Sequence, residues 1–265
     1  MSRMAVMAND QTAFFRKLSL ARHRVLVVDY DGTLAPFNVN RQRATPYPDL
    51  PEYLRRIMVS CATRLIIMSG RVANEVPPLL GLNPAPEVWG THGIERINAA
   101  GRYEEVQIDE KALEALTLAE AQLEQAGFRE RIEVKLAAVA LHWRGLPASE
   151  ILDIRTKAYR ILEPFAVSRD IVLAEFEEGV EIRLACANKG NALRTLLSEL
   201  DSEVPVAYLG DDATDEDAFR VLNGRGLSVL VRPKRRFTAA QMWLKPPDDL
   251  LDFFGGWIKA CGGVE

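Results

Sequence analysis

The 265-residue sequence contains only three cysteines, Cys61, Cys186 and Cys261, which are odd in number, scattered, and without metal-binding or redox spacing. That excludes a disulfide framework and suggests reduced thiols in a cytoplasmic setting. No apolar run approaches the roughly 18 residues that a membrane helix needs, so no membrane span is expected. The stretch Ala5-Val-Met-Ala8 is too short for the apolar part of a signal peptide and runs into Asn9-Asp10. Nor does one sign of charge dominate: 33 basic residues face 37 acidic ones, which leaves no global field to draw the chain to nucleic acid or an anionic membrane. The one local basic cluster, Arg232-Pro-Lys-Arg-Arg236, reads as a solvated loop after a strand. Low-complexity tracts and solenoid-type repeats are also missing. Hydrophobic residues make up 48% of the chain, enough for one large α/β core or for a core plus a smaller inserted unit.

The most informative stretch is Arg24-Val-Leu-Val-Val-Asp-Tyr-Asp-Gly-Thr-Leu34. Val25 to Val28 is a continuous aliphatic run, the pattern of a strand buried on both faces of a parallel sheet. Asp29 then emerges at the strand's carboxyl end, where open α/β sheets place their ligands. Gly32 tolerates turn conformations that other residues resist, and Thr33 offers a hydroxyl and an N–H to an anion. A phosphoryl group and a metal suit such a turn; the plainer alternative is an Asx-rich turn that only caps the strand.

Three further apolar runs, Leu65 to Met68, Val206 to Leu209 and Leu227 to Val231, are each followed by turn residues and helix-like sequence. This alternation predicts a Rossmann-like, doubly wound parallel sheet of the α/β class. Glu87 to Gly90 supplies another strand, ending in Thr91-His92-Gly93. Between about Gln107 and Leu184 the rhythm changes to two successive helix–strand–strand passages: helices over Lys111 to Ala126 and Ala148 to Phe165, strands over Arg131 to Trp143, and a hairpin over Ile171 to Leu184. The chain therefore reads as a core of residues 1–106 and 185–265 with an α/β insertion at 107–184.

A second carboxylate pair, Asp211 and Asp212, follows the run Val206 to Leu209. If the two strands are neighbours, four carboxylates converge and repel one another unless a cation neutralises them. Magnesium is the natural choice among hard divalent ions when protein ligands are few and a phosphate is in reach. The expected ligands are the Asp29 and Asp211 side chains and the Asp31 carbonyl, with Asp212 in the outer shell. Asp215 to Asp217 are expected to serve a helix dipole instead, with Thr214 as an N-cap. Ser69, after the second run, can hold a phosphate oxygen, and Lys189, just before a helix, can neutralise carboxylate and phosphate together. In this scheme Asp29 attacks phosphorus, and Asp31 donates a proton to the leaving alkoxide before taking one from water.

In order and spacing, Asp29-Tyr-Asp-Gly-Thr33, Ser69-Gly-Arg71, Lys189 and Gly210-Asp-Asp212 resemble the four motifs of the haloacid dehalogenase superfamily. The longer strings, Asp29 to Pro36, Gly90-Thr-His-Gly93 and Gly210 to Phe219, resemble trehalose-6-phosphate phosphatases. The resemblance implies magnesium, a substrate-selecting cap in the inserted stretch, and phosphate binding by Gly32, Thr33, Ser69, Gly70, Arg71 and Lys189. It further implies sugar contacts from His92, Glu133, Lys135, His142, Arg144 and Glu181, the cap residues lying in Glu133-Val-Lys135, His142-Trp-Arg144 and Glu181-Ile-Arg183. The expected partner is a small sugar phosphate, either trehalose 6-phosphate or another phosphorylated disaccharide or glycosyl-glycerol or glycerate compound, and functional coupling to a trehalose-6-phosphate synthase is conceivable. A monomer is expected. Rival readings fit less well: a receiver domain carries no inserted cap, a binding-only protein would not need both Asp29 and Asp31, and a phosphomutase needs a substrate that is rephosphorylated.

Overall fold

In the computed structural model, which describes residues 3–38, 40–106, 108–176 and 179–262, alternate residues of the first apolar run go to opposite faces of a sheet. Leu26 and Val28 enter one buried cluster, Val25 and Val27 another. A strand covered on both faces needs a continuous aliphatic run rather than an alternating one, and residues 25 to 28 supply it.

The chain first runs through α1 (Arg3–Leu20), β1 (Arg24–Val28), α2 (Leu50–Ser60), β2 (Thr63–Met68), α3 (Val76–Leu80), β3 (Glu87–Gly90), β4 (Glu95–Ile97) and β5 (Tyr103–Glu105). It continues through α4 (Glu110–Gln125), β6 (Ile132–Lys135), β7 (Ala138–His142), α5 (Ala148–Leu162), β8 (Ile171–Phe176) and β9 (Gly179–Leu184). It ends with α6 (Lys189–Ser198), β10 (Val206–Gly210), α7 (Glu216–Leu222), β11 (Leu227–Val231), β12 (Met242–Leu244) and α8 (Asp248–Ala260). Two compact units result, Met1–Glu105 with Asn188–Glu265, and Val106–Ala187. The expected boundary residue Gln107 and the hairpin residues Glu177 and Glu178 lie outside the described residues.

The first unit holds an eight-stranded sheet in the order β12-β11-β10-β1-β2-β3-β4-β5, parallel from β12 to β3 and antiparallel beyond. Phe14 and Leu18 of α1, Leu54 of α2 and Trp257 of α8 cover the Leu26 face, while Leu193 of α6 and Phe219 of α7 cover the Val27 face. This is the doubly wound α/β arrangement read from the sequence. β1 lies between β10 and β2, so the chain segments after these three strands emerge side by side at one edge of the sheet.

The second unit is a separate four-stranded antiparallel sheet in the order β6-β7-β9-β8, packed against α4 and α5. Among the described residues no helix is long and apolar enough to cross a membrane.

Candidate active site

Asp29 is the first residue beyond β1, fixed by its own N–H, which donates to the Leu209 carbonyl at 2.9 Å. Lys189 comes from the start of the second core segment, just after the inserted unit. Asn188 caps α6 by accepting the N–H groups of Gly190 and Asn191, which sets Lys189 as the helix's first residue. Its ammonium donates to Asp29 Oδ1 at 2.7 Å and to Asp215 Oδ1 at 2.8 Å. Asp29, Lys189, Asp211 and Asp215 are all buried.

Burial pushes the Asp29 carboxyl up to about 7; the Lys189 charge works against that shift and Asp215 adds to it. Asp211 is raised well above the usual carboxylate range by burial, with the Asp29 and Asp215 charges adding to it. For Lys189, burial pulls the ammonium down, but Asp215 and Asp29 outweigh it and the net shift is upward. Three buried carboxylates against one ammonium leave two negative charges uncompensated, the deficit that a divalent cation fills. Carboxylate oxygens of Asp29, Asp211 and Asp215 lie within 4.8 Å of one another, and all are hard donors.

Asp215 was expected to serve only the helix dipole, and the structure corrects this. Its Oδ2 accepts the N–H groups of Asp211 and Asp212, each at 3.0 Å, which is the turn-capping part of that reading. Its Oδ1 accepts the Lys189 ammonium at 2.8 Å and the Tyr208 hydroxyl at 2.7 Å. A carboxylate has about four lone-pair sites, so Asp215 is saturated and acts by orienting Lys189 and the Asp211 loop. Asp29 and Asp211 keep the better claim to direct coordination. Asp212, expected behind the ligands, has an exposed side chain; Asp215 occupies the buried place instead. Thr214 is not the cap either, since Asp212 holds that position.

Gly32 is required twice over. Its φ of +84° lies in the left-handed region, and a Cβ there would sit 2.2 Å from Asp211 Oδ2. Thr33, fully buried, donates from Oγ1 to Asp211 Oδ1 at 3.4 Å. The turn after β1 is thus moulded around Asp211.

Ser69 follows β2 and is 1% exposed. Its hydroxyl oxygen accepts the Arg71 N–H at 3.1 Å, which leaves the hydroxyl proton for an anion. Arg71 differs from the expected phosphate ligand: its Nε and Nη2 both go to Asp31, at 2.6 and 2.5 Å, while its guanidinium lies 5.4 Å from the centre of the Tyr30 ring. Such a two-point grip fixes the plane of the Asp31 carboxylate. The loop carrying Ser69 to Arg71 is braced by the Thr91 N–H on the Arg71 carbonyl and the His92 N–H on the Ser69 carbonyl. Thr91 and His92 both have positive φ, 48° and 55°, a strained pair beside the site. A Cβ on Gly70 would come within 2.7 Å of the His92 ring, so this imidazole closes directly over the loop.

In the second unit the register aligns Glu133 with Ala140 and Ala140 with Glu181, and likewise Lys135 with Ala138 and Ala138 with Arg183. These charged residues therefore share one face over a floor of alanines. Lys135 lies 3.6 Å from Glu181 and 3.9 Å from Glu133, His142 is 3.0 Å from Glu133, and Arg183 is 3.7 Å from Glu181. Arg144 lies beyond the end of β7 with an exposed side chain. Arg183 joins the cluster, and sequence reasoning had not singled it out.

The parallel sheet with buried carboxylates at its carboxyl edge, and a separate antiparallel sheet inserted between its strands, is the fold of haloacid dehalogenase-like hydrolases. One of these, from Bacteroides thetaiotaomicron, superposes with a TM-score of 0.60 at 16% identity, over 88% of this chain and 99% of that one. Residues 27–243 match the Trehalose-phosphatase family, and the chain belongs to that family. It is similar to the trehalose-phosphate phosphatase of Mycobacterium marinum, at 29% identity over 86% of this chain; that alignment spans 59% of the longer mycobacterial protein. The trehalose-6-phosphate phosphatase structure from Aspergillus fumigatus shares the fold with a TM-score of 0.71 at 24% identity, covering 96% of this chain and 97% of that one.

Proposed function

We propose that this chain hydrolyses trehalose 6-phosphate to trehalose and phosphate with magnesium. Family membership supports the substrate class. The observation that carries the chemistry is the buried group of Asp29, Lys189, Asp211 and Asp215 at the carboxyl edge of the sheet. Lys189 holds Asp29 Oδ1, leaving Oδ2 as the attacking atom. A bond forms between Oδ2 and phosphorus as the bond from phosphorus to the sugar oxygen breaks, and Asp31 delivers its proton to that oxygen. Asp31 then takes a proton from water, whose oxygen displaces Asp29 from phosphorus. Arg71 orients the Asp31 carboxyl with two donated hydrogen bonds, which suit the ionised carboxylate of the second transfer, while the first needs one Arg71 contact released to seat the proton. The Ser69 hydroxyl donates to a phosphoryl oxygen.

Magnesium fits the donor set and the charge deficit. Asp29, Asp211 and the Asp31 carbonyl would hold it, and it would supply neutralisation of charge on the phosphoryl oxygens. Asp215 supports from behind by orienting Lys189.

The charged face of the inserted unit reads the sugar: Glu133, Lys135, His142, Glu181 and Arg183 offer donors and acceptors matched to a ring of hydroxyl groups. A panel of phosphorylated sugars, assayed for phosphate release with magnesium and with chelator, tests the substrate and the ion together. Preference for another phosphorylated disaccharide would replace the substrate, and full turnover in chelator would remove the metal. Within that panel, Glu181→Gln should raise KM for trehalose 6-phosphate about tenfold, the worth of one charged hydrogen bond, while leaving a small aryl phosphate unaffected. Equal losses on both substrates would count against sugar reading by this face.

A further inference from the structure

The basic cluster Arg232 to Arg236 is only partly the solvated loop that its sequence suggests. Lys234 and Arg235 are exposed, but Arg232 and Arg236 turn inward. Arg232 Nη1 donates to the Asp211 carbonyl at 3.2 Å, and Arg236 Nη2 donates to the carbonyls of Asp211 at 3.3 Å and Asp212 at 2.8 Å. Parallel pairing between β10 and β11 ends at Gly210 and Leu230. The next carbonyls along the chain, those of Asp211 and Asp212, have lost their ladder partners, and the two guanidinium groups take over where the ladder stops.

Both arginines are themselves held. The Arg232 carbonyl accepts the Trp243 indole N–H at 2.8 Å. Arg236 Nη1 donates to Glu216 Oε1, and Glu216 Oε2 accepts the Ala239 N–H at 2.8 Å, which clamps the arginine loop to the start of α7. Asp211 is thereby fixed from both sides. Its N–H is bound by Asp215 and its carbonyl by two arginines, so the direction in which its side chain leaves the backbone is set by three other residues' side chains and by Gly32 and Thr33 beneath it.

We propose that Arg236, assisted by Arg232, is a positioning residue that preorganises the Asp211 loop for its divalent cation through the backbone carbonyls. The inference rests on the magnesium reading given above. It makes an unusual demand, because both groups are positive. On charge alone, removing a cationic side chain near a cation site tightens metal binding; if positioning dominates, removing it weakens binding although the repulsion has gone.

The test is magnesium affinity by isothermal titration calorimetry on the full chain without substrate, comparing wild type with Arg236→Ala, Arg232→Ala and Arg236→Lys. Positioning predicts at least a tenfold rise in Kd for Arg236→Ala, a smaller rise for Arg232→Ala, and a severalfold rise for Arg236→Lys, which keeps the charge but loses the fork that ties the two carbonyls, through Nη2, to Glu216, through Nη1. The kinetic counterpart is a raised magnesium activation constant with an unchanged KM for the sugar phosphate. Unchanged or tighter magnesium binding by Arg236→Ala overturns the proposal. If that variant fails to fold by circular dichroism, Arg236→Lys decides alone, and wild-type affinity there overturns it. A wild-type chain that binds no magnesium would instead remove the underlying metal reading.

Discussion

Asp29→Asn is expected to abolish phosphate release, by at least about 10⁴-fold in kcat, since the residual rate of enzymes stripped of their nucleophile comes from binding and charge stabilisation alone. The substitution is nearly isosteric. The asparagine oxygen still accepts the Lys189 ammonium, and the backbone N–H still pairs with the Leu209 carbonyl. It also removes one of three buried like charges, so the unfolding midpoint without metal should stay level or rise. Phosphate release measured beside urea unfolding separates the two effects. Turnover within tenfold of wild type would assign the attack to another group.

Lys189→Ala should damage both activity and stability. The lysine is 3% exposed and bridges Asp29 and Asp215 through contacts of 2.7 and 2.8 Å. Deleting one side of a buried ion pair costs about 3–5 kcal/mol, because the remaining charges keep their burial and lose their partner. Without the ammonium the metal-free Asp29 carboxyl, already pushed up to about 7 by burial, rises further. A loss of roughly 10³-fold in kcat is expected from this and from the missing charge stabilisation. Asp215→Asn separates the contributions, because it loosens Lys189 while leaving its charge in place. If Lys189→Ala keeps its urea midpoint within experimental scatter, Lys189 is not the ion bridge that holds these carboxylates together.

Residues whose neighbours follow from strand alternation were legible in the sequence, and those whose partners are backbone groups were not. Val25 to Val28, Leu65 to Met68 and Leu227 to Val231 could be read because burial on two faces demands unbroken aliphatic runs. β4, β5 and β12, three residues each, are too short to show any period. Asp215 was misread because an acidic residue at a helix start already satisfies the dipole, and nothing in Asp211-Asp-Ala-Thr-Asp215 reveals that its other oxygen meets a lysine from α6. Arg232 and Arg236 were misread because a carbonyl acceptor has no sequence signature. Tyr208 sits in an apolar run and reads as core, and only its hydroxyl contact with Asp215 ties it to the site.

The position of β10 has a consequence for the growing chain. It pairs with β1, and the Asp29–Lys189 contact spans 160 residues, with the whole second unit lying between them. During synthesis β1 and β2 can pair early, and the second unit can close its own neighbouring strands, but β1 keeps one open edge until β10 leaves the ribosome. Contacts of such long sequence separation form late, because their loop-closure entropy comes before their reward. Pulsed hydrogen exchange during refolding should therefore protect the β6-β7 hairpin before the Asp29 amide, and earlier protection at Asp29 would reverse that order. The carboxylate centre therefore waits for chain that follows the second unit, and a fragment ending before Asp215 would lack it.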